Sequence, residues 1–132
     1  YGKNISLVFG CGGDRDKSKR SLMAKVANNY SKKIYVTDDN PRNEEPSKIR
    51  NEIIKRINPL KCFNIGNRSA AIKKSISNAE QNEIILIAGK GHEDKQIYKK
   101  KIFNISDKKI VKKLKIKIKA FREKNQNYLQ NK

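Results

Sequence analysis

Apolar residues fall along this chain in short blocks separated by polar stretches of helical spacing. Asn4-Ile5-Ser6-Leu7-Val8-Phe9 is an apolar run that stops at Gly10-Cys11-Gly12-Gly13, which predicts a buried strand and then a glycine-rich turn. From Ser18 to Tyr30, Leu22, Met23, Val26 and Tyr30 recur at helical spacing and predict a helix with that apolar face. Lys33-Ile34-Tyr35-Val36-Thr37 predicts a second strand, stopped by Asp38-Asp39-Asn40-Pro41. Pro46 suits the first position of a second helix, whose face is Ile49, Ile53, Ile54 and Ile57 and which ends at Asn58-Pro59. Cys62-Phe63-Asn64-Ile65 is a weak third strand, and Asn67 can cap a third helix carrying Ala70, Ala71 and Ile76. Glu83 to Ala88, with Ile84-Ile85-Leu86-Ile87, is the strongest strand pattern and breaks at Gly89-Lys90-Gly91-His92-Glu93-Asp94.

The rhythm then changes. Gln96-Ile97-Tyr98 and Lys101-Ile102-Phe103-Asn104-Ile105 lie so close together that a hairpin, not another crossover, must join them. Ser106 or Asp107 caps a last helix with Ile110, Leu114 and Ile118 on one face, and the polar tail from Arg122 is expected to fray. Strands alternating with helices predict an α/β fold of Rossmann-like, three-layer αβα type. Its sheet is mostly parallel, with a C-terminal antiparallel hairpin. One domain over 1–121 and a frayed tail over 122–132 are expected.

The 132 residues carry a formal net charge of +19 at pH 7. Most of that charge is lysine, and Lys, Asn and Ile, all spelled by A- and T-rich codons, are abundant together. The lysines are scattered over helix faces rather than interleaved with aromatics, so a solvated surface is the reading and neither a nucleic-acid nor a membrane partner is expected. No apolar run is long enough to span a bilayer. Cys11 and Cys62 cannot form a disulfide framework or a four-ligand zinc site, and a cytoplasmic location is expected. The start at Tyr1 instead of Met suggests a piece of something longer.

In such sheets, ligands bind beyond the carboxyl ends of the strands. Three polar loops are expected there: residues 10–17 (GCGGDRDK), 37–42 (TDDNPR) and 88–94 (AGKGHED). The first fails as a dinucleotide fingerprint, because Arg15 stands where G-x-G-x-x-G needs its last glycine. No G-x-x-x-x-G-K-[ST] phosphate loop occurs anywhere, so any nucleotide must be held mainly by another domain. His92, the single histidine, is either a base or a turn residue. Cys11 has no neighbouring base in the sequence and reads as a packed small residue rather than a nucleophile.

Together these loops resemble the C-terminal domain of Mur ligases. The resemblance rests on residues 8–17 (VFGCGGDRDK), Lys19-Arg20, Leu22-Met23, residues 36–42 (VTDDNPR), Glu44-Glu45-Pro46, residues 88–94 (AGKGHED) and Gln96-Ile97. It runs from about residue 3 to about residue 114, and Asp39-Asn40-Pro41-Arg42 is similar to the block that recognises diaminopimelate in members that add it. Ser21 stands where the family often has proline. The resemblance implies a domain that binds the incoming amino acid and closes over ATP, with no catalytic residue and no metal ligand of its own. ATP, Mg2+ and the UDP-MurNAc-dipeptide would be held mainly by two preceding domains. It further implies that Arg15 holds a carboxylate of meso-diaminopimelate, that Asn40 and Arg42 bind its far amino-acid head, and that Asp39 and Pro41 shape the turn. Gly89 would offer its backbone at close approach and Glu93 would pair with an ammonium. Two alternatives remain open on the residues. One is a basic Rossmann-like module for nucleotide or nucleic acid; the other is the C-terminal domain of a ligase like folylpolyglutamate synthase, against which the Asp39–Arg42 block argues.

Overall fold

The computed structural model describes residues 4–90 and 93–115. Its strands and helices alternate in the expected order: β1 (Ile5–Phe9), α1 (Ser18–Tyr30), β2 (Lys33–Val36), α2 (Pro46–Ile54), β3 (Cys62–Asn64), α3 (Arg68–Ser77) and β4 (Ile84–Ile87). Then come β5 (Lys95–Tyr98), β6 (Lys101–Asn104) and helix α4 over residues 107–115. The first four strands form one parallel sheet in the order β3-β2-β1-β4. Strands β5 and β6 form a separate antiparallel pair. The predicted fold class is the observed one.

The strand side chains alternate between two cores, which is why the apolar runs read as continuous. Phe9, Ile34 and Val36 point to one side and meet Ala24 and Ala27 of α1 and Ile49 and Ile53 of α2. Val8 and Tyr35 point to the other side and meet Ala71 and Ile72 of α3, with Ile110, Val111 and Leu114 of α4 packed alongside. Tyr35 stacks on Phe63 at 4.6 Å between ring centroids. Each buried valine, isoleucine or phenylalanine among them contributes on the order of 1.5–3 kcal/mol by leaving water. Local chemistry sets the element ends. Asn67 Oδ1 accepts the Ala70 N–H at the start of α3, Pro46 opens α2, and Ser106 Oγ accepts the Lys109 N–H at the start of α4.

Two expectations are corrected and two are made more specific. The face of α1 marked by Leu22, Met23, Val26 and Tyr30 does not enter the core, and Leu22 stays 62% exposed. Arg20, Ala24 and Ala27 are the buried positions: the two alanines pack into the core with Ile49 and Ile53 of α2, and Arg20 is buried with its charge paired to Glu44 and Glu52. The large residues instead line an open apolar shelf with Ile5, Leu7 and Leu86. Second, β4, the strongest apolar pattern, is present as predicted and lies at the edge of the sheet with Ile84 and Leu86 exposed. Third, in α3, Ala70 faces solvent, and Ile72 is a core residue in its place. Finally, of the two caps the sequence offers for α4, Ser106 is the one used, and the Asp107 carboxylate is taken up by Arg68. Ile118, the boundary at 121, the tail 122–132, Gly91 and His92 lie outside the described residues. Among the described residues, no helix is long and apolar enough to cross a membrane.

Candidate functional site

All three polar loops leave the carboxyl ends of strands: residues 10–17 after β1, 37–42 after β2, and 88–94 after β4. They are joined by hydrogen bonds, not merely neighbours. The Gly13 N–H donates to the Asn40 carbonyl at 2.8 Å, and Arg42 Nη1 donates back to the Gly13 carbonyl at 3.0 Å. Gly13 is fixed by this approach, since a Cβ there would lie 1.8 Å from the Pro41 carbonyl oxygen. Gly89 turns at φ +111° beside Asp39, whose Oδ2 would be 3.1 Å from a Cβ at Gly89. A positive φ of that size is glycine territory.

The expected site residues converge. Arg42 Nη1 and the Arg15 side chain lie 2.9 and 3.5 Å from the point a Cβ on Gly12 would occupy, so two guanidinium-bearing side chains flank one bare backbone position. Arg15 is exposed, and no described residue bonds its guanidinium. Asp39 and Asn40 are half-buried and Pro41 is fully buried in the turn. Arg42 sits in the left-handed region at φ 53°, a strained position for a residue with a side chain. Glu93 is tied to the cluster through its backbone, its N–H donating to the Lys90 carbonyl at 2.8 Å, and its side chain is exposed.

A second set of residues holds this arrangement, and sequence reading gave it no role. Lys90 is 2% exposed, and its ammonium reaches Asn40 Oδ1 at 3.0 Å, the Lys95 carbonyl at 2.7 Å and Asp39 Oδ1 at 3.3 Å. Arg68, 1% exposed, pairs with both oxygens of Asp107 at 2.8 Å, and donates to the Asp38 carbonyl at 3.2 Å and the Ala88 carbonyl at 3.1 Å. Asp38 accepts from Tyr98 Oη at 2.7 Å and from Arg50. Burial and this bond push the Tyr98 hydroxyl above its usual range. Arg20 joins Glu44, Glu52 and the Gly12 carbonyl. That ion pair, with the Asp14 N–H next, holds the Glu44 carboxyl below the usual carboxylate range.

The hairpin is the other support. Arg42 and Tyr98 form an isolated parallel bridge: the Arg42 N–H donates to the Ile97 carbonyl at 3.0 Å, and the Lys99 N–H donates to the Arg42 carbonyl at 2.6 Å. The Gln96 amide reaches the Asp38 carbonyl at 3.1 Å, and the Ile97 N–H reaches Asn40 Oδ1 at 3.0 Å. Residues 38–42 are thus held along their length by β5. Only a faint signal pointed there: the Gln96-Ile97 pair that closes the third motif.

Cys11 is buried in the core, and burial raises its thiol to about 11, so it is a packed residue and not a thiolate. Asp14 accepts from the Asn43 backbone and side chain, at 3.3 and 3.0 Å, and Asp16 accepts the Ser18 N–H and hydroxyl as α1 begins. Both acids are therefore taken up locally, Asp14 by Asn43 and Asp16 by Ser18. Among the described residues no three His, Cys, Asp or Glu side chains converge as a metal site.

Comparison with known proteins gives a consistent picture. A family model described as Mur ligase, glutamate ligase domain, matches residues 1–91. The chain is 48% identical over 113 residues to the UDP-N-acetylmuramoyl-L-alanyl-D-glutamate--2,6-diaminopimelate ligase of Rickettsia typhi, covering 86% of this chain and 23% of that protein. It is 50% identical over 115 residues to the protein of the same name from Prochlorococcus marinus, covering 86% of this chain and 22% of that protein. A solved structure titled as this ligase superposes with a TM-score of 0.77 at 36% identity, covering 83% of this chain and 23% of the other. The chain therefore spans less than a quarter of the length of these relatives.

Proposed function

The chain belongs to the Mur ligase family, and from that premise we propose that it is the amino-acid-binding domain of an ATP-dependent ligase adding meso-diaminopimelate to UDP-MurNAc-L-Ala-D-Glu. In the proposed reaction a D-glutamate carboxylate oxygen attacks the γ-phosphorus of ATP, the bond to the β-phosphate oxygen breaks, ADP leaves and an acyl phosphate is formed. The free amine of diaminopimelate then attacks the acyl carbon, phosphate leaves with the C–O electron pair, and the surplus ammonium proton passes to solvent. The reading places this step of cell-wall precursor synthesis in the cytoplasm, where ATP is available.

The observation that carries the proposal is the pairing of Arg15 and Arg42 around Gly12 in a loop cluster at the carboxyl edge of the sheet. Diaminopimelate has a carboxylate and an ammonium at each end, whereas lysine lacks the far carboxylate. Two planar guanidinium forks suit two carboxylates, each able to accept a bidentate pair. Asn40 and Arg42 take the far amino-acid head and Arg15 a carboxylate of the ligand. Glu93 pairs with an ammonium, Gly89 lets the backbone approach, and Asp39 and Pro41 hold the turn. The described residues provide no metal cluster and the sequence no phosphate loop. ATP and Mg2+ are proposed to be held mainly by the remainder of the protein, with this domain closing over the nucleotide.

The test is a coupled phosphate-release assay on the full-length protein with ATP and the UDP-linked dipeptide, supplying meso-diaminopimelate or lysine in turn. Diaminopimelate-dependent release, with the tripeptide mass in the product, is expected. The 132-residue chain alone is expected to release no phosphate and form no product. Equal use of lysine by the full-length protein, or turnover by the chain alone, refutes the reading.

A further inference from the structure

Asn40 is held by two groups that can only donate. Its Oδ1 lies 3.0 Å from the Lys90 ammonium and 3.0 Å from the Ile97 N–H. An ammonium and a backbone N–H offer no lone pair, so the amide cannot sit the other way round without facing donor against donor. The oxygen is fixed inward and the Nδ2 group is left over, and no described residue accepts from it. The residue therefore shows its ligand a donor and no acceptor. Lys90 also lies 3.3 Å from Asp39 Oδ1, which keeps the neighbouring carboxylate paired inside the turn.

We propose that Lys90 is a positioning residue for amino-acid selection. By engaging Asn40 Oδ1 and Asp39, it makes the 39–42 turn present N–H groups toward an incoming carboxylate and no oxygen. This rests on the preceding reading that Asn40 meets diaminopimelate. Lys90 itself is out of reach of solvent, with a fully buried side chain, and acts through Asn40. Without its ammonium only the Ile97 N–H still holds Asn40 Oδ1, so the amide is less firmly fixed and turns an acceptor toward the ligand carboxylate more often, and the Asp39 charge is left unpaired beside it. Both changes oppose binding of a carboxylate and leave distant substrates untouched.

The experiment is a double-mutant cycle in the full-length enzyme: unmodified, Lys90→Met, Asn40→Ala and both together, with KM measured for diaminopimelate, ATP and the UDP-linked dipeptide, and Tm alongside. Lys90→Met is expected to raise the diaminopimelate KM about tenfold or more, the scale of one charge-assisted hydrogen bond. The other two KM values should stay within about twofold. In the Asn40→Ala background the same substitution should change the diaminopimelate KM by less than about twofold, because the group it acts through is gone. Should Lys90→Met not fold, Lys90→Ala, which likewise removes the donor and the charge, replaces it in the same cycle. An unchanged KM in a folded Lys90 variant, or effects that multiply in the double mutant, overturns the proposal alone. An unmodified enzyme with no diaminopimelate-dependent turnover overturns the preceding reading and this one together.

Discussion

Replacing Arg68 with methionine should cost this domain a large part of its stability. The guanidinium is 1% exposed and its partner Asp107 is 6% exposed, so the ion pair lies almost wholly out of water. Removing the cation strands a buried carboxylate, and breaking a buried pair in this way typically costs about 3–5 kcal/mol. The Asp38 and Ala88 carbonyls also lose a donor each, and an unsatisfied buried acceptor adds about 1–3 kcal/mol. A domain of this size has only about 5–15 kcal/mol in hand. Urea denaturation of the 132-residue chain should therefore show a midpoint shifted far down for Arg68→Met, or no folded baseline at all. Arg68→Met with Asp107→Leu should be less damaging than Arg68→Met alone, because no stranded charge remains. A loss below about 1 kcal/mol for Arg68→Met, or simple additivity in the double variant, would refute the view that this pair ties α3 and α4 to the site loops.

Three further outcomes are expected. Arg42→Ala in the full-length enzyme should lower kcat/KM for diaminopimelate by roughly 10- to 200-fold, the equivalent of about 1.5–3 kcal/mol, and shrink discrimination against lysine; an unchanged ratio in a folded variant removes Arg42 from the site. Gly13→Ala should separate the first two loops, since its methyl would overlap the Pro41 carbonyl at 1.8 Å, and it should impair amino-acid use before ATP use in steady-state kinetics. The Tyr98 hydroxyl is pushed above its ordinary value of 10 by burial and then by its bond to Asp38. Its stabilisation is therefore full below pH 10 and declines as pH rises above it, because the unfolded chain then gives up the proton first. The corresponding slope in chemical denaturation should vanish in Tyr98→Phe.

Strand and helix order could be read from the sequence because strands buried on both faces leave unbroken apolar runs, and because Asn67, Pro46 and the glycine loops mark element ends. The three site loops could be read because parallel topology sends them to one edge. The α1 face was misread for a physical reason: periodicity reports that a side is apolar and not whether anything covers it. Lys90 and Arg68 were missed because a buried cation looks like a surface cation in a chain this rich in lysine and arginine. Only the oxygens that close around them in three dimensions, two of them backbone carbonyls in the case of Arg68, reveal the difference. The bridge between Arg42 and Tyr98 joins residues too far apart in sequence for any local pattern to link them.

The shelf formed by Leu22, Met23, Val26, Tyr30 and Leu86 has a colloidal consequence. Copies of this chain, each with a formal net charge of +19, repel one another at low ionic strength and keep their apolar shelves apart. Charge repulsion reaches about 10 Å in 0.1 M salt but only about 3 Å in 1 M, while excluded salts such as sulfate strengthen apolar association. Added salt therefore removes the repulsion and leaves the shelf's attraction. The isolated chain should be most monodisperse in dilute buffer and self-associate as salt rises, opposite to proteins whose copies cling through complementary charges.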